Sequence, residues 1–128
     1  MTTLLWVMVA GGVGSGARYL VGQWAAASLG TAWPYGTLIV NLLGCFLLGM
    51  VTQLSAAGPW SPELRAAIAV GLLGGFTTYS SFNQETIALV ANGSIGGAAA
   101  NLAITLAGGL AAGALGLAAG RLLIPGTP

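Results

Sequence analysis

Four stretches of this sequence are each long and apolar enough to cross a bilayer, and almost no charge interrupts them. They run roughly Leu4 to Ala27, Tyr35 to Leu54, Leu64 to Ala91 and Ile95 to Ile124; a spanning helix needs about 20 mainly apolar residues. The charged side chains of all 128 residues are Arg18, Glu63, Arg65, Glu85 and Arg121, with no Asp, Lys or His. A soluble domain carries about 25% charged residues. This chain carries 4%, with a mean hydropathy of +0.91. It reads as a multi-pass integral membrane protein. The connections LGTAWP, SAAGPWSP and NGS are short and rich in turn residues, leaving no room for a soluble domain. Residues 1–128 are expected to form a single all-α transmembrane domain of four helices. Trp33, Tyr35 and Trp60 fall where aromatic rings settle at the two membrane interfaces.

The missing residue types narrow the chemistry. Without His or Asp there is no His-based triad, no His-containing metal site and no Asp general base, so an enzyme is not expected. Three arginines cannot assemble a basic patch, which argues against nucleic acid. The lone Cys45 allows no intrachain disulfide and reads as a small buried hydrophobe. MTTLLWVMVAGG has no Lys or Arg ahead of its apolar run, so it reads as a retained first span rather than a signal peptide.

Glycines recur at helical spacing: Gly12 and Gly16, Gly71 and Gly75, Gly109 and Gly113, Gly116 and Gly120. Small residues four apart let helix backbones approach closely where lipid supplies no hydrophobic drive, so these pairs are expected to be packing seams. Four spans put both termini and the loop carrying Arg65 on one side. Arg65 and Arg121 then oppose Arg18, a weak bias under the positive-inside rule. A bias this weak allows insertion in either direction, and a protein that inserts both ways can form an antiparallel two-fold dimer with its axis in the membrane plane.

The most polar run, GGFTTYSSFNQE at residues 74 to 85, lies inside the third apolar stretch. Paired glycines followed by hydroxyl residues predict a helix break at Gly74-Gly75, with a bent but continuous helix as the alternative. Irregular backbone survives at membrane depth only inside protein or beside a polar cavity, and broken helices leave carbonyls that coordinate a cation. The carbonyls from Gly74 to Thr77 are thus candidates for a cation site or a partner-chain contact. Beyond the break, helical spacing puts Tyr79, Phe82 and Thr86 on one face and Thr78, Ser81 and Glu85 on another. Ring edges are electropositive, so edge-on rings and hydroxyl donors can hold a small anion without a fixed positive charge. Asn41 in span two adds amide donors. Gly97, Asn101, Thr105, Gly109 and Gly113 form a small and polar stripe on span four. Either feature alone also suits ordinary helix packing. Glu85 is the only carboxylate near this path. Arg18 either makes a vestibule electropositive or snorkels to the interface.

GARYL, PYGTLIVNLLG and GGFTTYSSF resemble the bacterial fluoride channel family, known as Fluc or CrcB. The resemblance covers essentially the whole chain. It implies a dual-topology homodimer in the cell inner membrane, with two antiparallel pores that export fluoride passively and exclude chloride. It also implies a structural sodium ion on the two-fold axis, held by backbone carbonyls of both broken third helices. Those carbonyls fall on Gly74 and Thr77. Pore-lining roles fall on Asn41, Tyr79, Phe82 and Thr105, with Ser81 at a hydroxyl position beside the aromatic pair. Glu85 corresponds to an acidic position near a pore mouth and Arg18 to an arginine near a vestibule. The first aromatic is usually Phe, and here it is Tyr79; Gly109 stands where many relatives continue a hydroxyl track. Two rival functions remain. A small dual-topology multidrug exporter needs a buried carboxylate in span one, which has no acid. A non-transporting scaffold subunit leaves the polar run, Asn41 and Thr105 without a purpose.

Overall fold

The computed structural model describes residues 1–124, so the last four residues of the expected 1–128 domain lie outside the described residues. Those described are almost entirely helical, with no strand among them. Three helices are uninterrupted: α1 (Thr2–Leu29), α2 (Tyr35–Ala57) and α6 (Ile95–Leu122). Each of the three is long and apolar enough to cross a membrane. Helix α1 stops at Gly30, whose φ of 84° is a left-handed conformation that a side chain resists.

The third apolar stretch is built in pieces. Ser61 opens α3 (Pro62–Arg65): its Oγ accepts from the Leu64 N–H at 3.2 Å, and Pro62 occupies the first helical position. A π-helical stretch, Ala66–Leu73, leads on into α4 (Gly74–Phe76). Thr77 (φ −84°, ψ 160°) and Thr78 (φ −152°, ψ 118°) are then extended, and α5 (Tyr79–Ala91) starts afresh.

The interruption therefore lies beyond the glycines, which are themselves helical. Gly75 serves close approach: a Cβ there would run into the carbonyl of Gly11 on α1, whereas one on Gly74 would meet only an ordinary contact with the Ala69 carbonyl. Likewise a Cβ on Gly14 would meet the Leu72 carbonyl, and one on Gly71 would sit 2.8 Å from the Val7 carbonyl. These contacts dock residues 62–76 against α1.

The other large interface joins α2 and α6. A Cβ on Gly116 would strike the Phe46 carbonyl, one on Gly49 the Gly113 carbonyl, and one on Gly120 would lie 2.9 Å from the Met50 carbonyl. Gly109 and Gly113 make only ordinary contacts with Cys45. A Cβ on Gly12 or Gly16 would meet nothing within 4 Å, so this pair forms no seam within the single chain. The α1 seam runs through Gly11 and Gly14, because those are the positions that face residues 71–76.

Large apolar side chains such as Leu4, Val9, Val70, Leu110 and Leu115 point outward. The interior holds Ala25, Val40, Leu73, Phe76, Phe82 and Ala98 together with polar Thr78, Thr86 and Asn101. Polar groups held inside beside small and aromatic residues, under an aliphatic exterior, suit a surrounding solvent of lipid.

Candidate functional site

Two extended residues between helices leave backbone groups that no helix satisfies, and α2 supplies the partner. The Thr78 N–H donates to Asn41 Oδ1 at 2.8 Å, and Asn41 Nδ2 donates back to the Thr78 carbonyl at 3.0 Å. The Thr78 hydroxyl caps α5: its Oγ1 accepts from the Ser81 N–H at 3.2 Å and donates to Ser81 Oγ at 3.1 Å. Thr77 ties back to α4 and the π stretch, its N–H and its hydroxyl both donating to the Leu73 carbonyl at 3.0 Å. One turn beyond Asn41, Gly44 leaves the space that the Thr77 methyl fills.

These bonds free two carbonyls. In a continuous helix the Thr78 N–H would pair with the Gly74 carbonyl, and the Ser81 N–H with that of Thr77. Both amides are committed instead to Asn41 Oδ1 and Thr78 Oγ1. The Gly74 and Thr77 oxygens are thus hard, neutral donors of the kind that suit a hard cation. No cluster of three or more His, Cys, Asp or Glu occurs among the described residues.

Beside the interruption lies an open groove of about 480 Å³. It is lined by Asn41, Gly44 and Cys45 of α2, Gly74 and Thr77, Tyr79 and Phe82 of α5, and Thr105 and Gly109 of α6. The Tyr79 and Phe82 rings lie 5.7 Å apart at 60°. Phe82 is 4% exposed, whereas Tyr79, at the rim, is 76% exposed. Thr105 Oγ1 is buried without a hydrogen-bond partner, so its proton is uncommitted. Asn41, Thr77, Thr78, Thr105 and the two rings line this groove together with aliphatic Leu48, Leu73, Leu106 and Leu110, with no charged side chain among the lining residues.

A second cavity of about 350 Å³ opens where the α1–α2 connection meets the end of α5. Thr37 and Glu85 line it, the Thr37 hydroxyl donating to Glu85 Oε1 at 2.7 Å while Oε2 is buried and unpartnered. Trp33 closes the nearby connection, its indole N–H donating to the Gly97 carbonyl at 3.2 Å and its ring edge-on to Tyr35 at 5.3 Å.

Of the residues singled out in the sequence, Asn41, Gly74, Thr77, Tyr79, Phe82 and Thr105 share the larger groove. Glu85 lines the smaller cavity. Ser81 and Arg18, both half-buried, line neither. Sequence reasoning passed over Thr37 and Gly44, although Thr37, Asn41, Gly44 and Cys45 make a single helical stripe on α2.

The sequence profile of the family described as CrcB-like protein, Camphor Resistance (CrcB), matches residues 5–117. The chain belongs to the CrcB family. CrcB relatives cover nearly its full length. A protein of Sorangium cellulosum named fluoride-specific ion channel FluC is 45% identical over 98% of this chain and 100% of its own. One of the same name from Anaeromyxobacter dehalogenans is 50% identical over 88% of this chain and 90% of its own. Another, from Thermus thermophilus, is 49% identical over 72% of each. The CrcB match takes in every groove residue named above.

Proposed function

We propose that this chain is a fluoride-selective ion channel that passively exports fluoride across the cell inner membrane. It is a conduit and not an enzyme. The observation that carries the reading is full-length similarity to proteins named fluoride-specific ion channels. The groove supports it with matching chemistry. Fluoride is small and strongly hydrated, so its path must offer donors in place of water. Asn41 keeps one Nδ2 hydrogen beyond its bond to Thr78, and Thr105 Oγ1 has an uncommitted proton. The Tyr79 and Phe82 edges add weak positive potential. Many weak contacts without a fixed cation favour passage over trapping.

In this proposal α3 to α5 together form a fourth span, broken near mid-depth at Thr77 and Thr78. Two copies insert in opposite directions, and the partner closes the open side of each groove, where Tyr79 is most exposed. The arrangement gives two antiparallel pores in a homodimer, each chain contributing a single transmembrane domain. The carbonyls of Gly74 and Thr77 from both copies hold a structural sodium ion, whose charge ties the two interruptions together. Glu85 and Arg18 face the water-filled vestibules, and Ser81 keeps a hydroxyl beside the aromatic pair.

Expression in a bacterial strain deprived of fluoride export tests the reading. Growth restored at a fluoride level that arrests the parent strain supports it. Continued arrest with the protein present in the membrane contradicts it.

A further inference from the structure

The two cavities meet α5 on successive turns without merging. Glu85 and Thr37 line one, Phe82 and Asn41 the other. Beside them α2, α5 and α6 bury Val40 at 1% exposure, Asn101 at 2%, Phe82 at 4% and Thr86 at 8%. Thr86 and Asn101 line neither cavity. They are joined to each other and to Phe82. Asn101 Nδ2 donates to Thr86 Oγ1 at 2.9 Å, and the Thr86 hydroxyl donates to the Phe82 carbonyl at 2.7 Å. An asparagine this deeply buried is costly unless its bonds do something an apolar side chain would not. The Thr86 hydroxyl bond also takes up the carbonyl of the residue whose ring lines the groove.

We propose that Asn101, acting through Thr86, is a positioning residue that fixes Phe82 at the inner end of the groove and thereby sets fluoride throughput. The pair anchors α5 to α6 one turn beyond Phe82 and Thr105, so the spacing of the two helices next to that ring is held by a hydrogen bond as well as by apolar packing. The consequence for flux rests on the fluoride-channel reading; the positioning of the ring does not.

The test compares wild type with Thr86→Val, Thr86→Ser and the double variant Thr86→Val with Asn101→Leu. The double variant replaces both polar partners by apolar groups, a change that leaves no buried donor unpaired and keeps the fold. Ring resonances of 13C-labelled phenylalanine are recorded in micelles, where three phenylalanines make Phe82 assignable by substitution. Fluoride efflux per folded channel is measured in liposomes. The Phe82 resonance is expected to shift or broaden in Thr86→Val and in the double variant, with flux falling several-fold in both, while Thr86→Ser stays close to wild type. An unmoved resonance, or a moved resonance with unchanged flux, overturns the proposal. Wild-type protein that passes no fluoride sinks the channel reading instead, and the Phe82 resonance alone then decides the positioning role.

Discussion

Asn41 holds both backbone polar groups of Thr78, accepting from its N–H at 2.8 Å and donating to its carbonyl at 3.0 Å. A side-chain amide here does what a neighbouring strand does in a ladder, exchanging two hydrogen bonds with one extended residue. The interruption between α4 and α5 is therefore held open from α2. Of its paired glycines, Gly75 serves packing against α1 instead.

Asn41→Ala is expected to destabilise the folded protein, because it leaves the N–H and carbonyl of Thr78 unpaired at a residue only 7% exposed. Each such group costs about 1–3 kcal/mol. Asn41→Asp keeps an acceptor but loses the donor and adds a buried charge, so it is expected to be worse. Thermal unfolding in detergent measures both, and an unchanged midpoint for Asn41→Ala would mean that the clasp holds nothing.

Two glycines of the same apparent motif should respond oppositely to alanine. In Gly116→Ala the new methyl meets the Phe46 carbonyl across the α2–α6 seam, and overpacking of this kind costs about 1–3 kcal/mol. Gly12→Ala enters open space and gains up to about 1 kcal/mol of helix propensity. Unfolding midpoints should move down for the first and up for the second; a fall in both would place Gly12 in a contact that a single chain lacks.

That contrast shows what the sequence could reveal. Length and hydropathy located α1, α2 and α6 to within a few residues at each end, since lipid-spanning helices leave long uncharged runs. Spacing alone picked out Gly12 with Gly16 and passed over Gly11, because which face of α1 meets residues 62–76 depends on tertiary docking. The paired glycines drew the expected interruption two or three residues too early, for the Asn41 bond that stabilises extended Thr78 comes from thirty-seven positions away. Asn41, Tyr79, Phe82 and Thr105 were legible as polar or aromatic groups out of place among aliphatics, and they do share one groove. Thr37 was not, since a lone threonine near a helix start looks like any other until Glu85 is seen beside it.

Phe82→Ile should reduce fluoride flux while leaving the dimer assembled. A ring-edge contact is worth roughly 1 kcal/mol, or about a five-fold change. Efflux traces alongside size-exclusion profiles separate the two effects. Unchanged flux would remove Phe82 from the path.

The proposed sodium site predicts that exchange of sodium for a bulky organic cation weakens the proposed dimer, since the Gly74 and Thr77 carbonyls of two copies would then face one another without a shared positive charge. Cross-linking yield before and after exhaustive dialysis reads this out. A yield indifferent to the cation would argue that those oxygens bind no metal.

The most direct measurement is ion release from liposomes containing the purified protein, followed with fluoride and chloride electrodes in matched vesicles. The account predicts rapid fluoride release with chloride retained. Equal release of both ions, or fluoride release no faster than from protein-free vesicles, would contradict it.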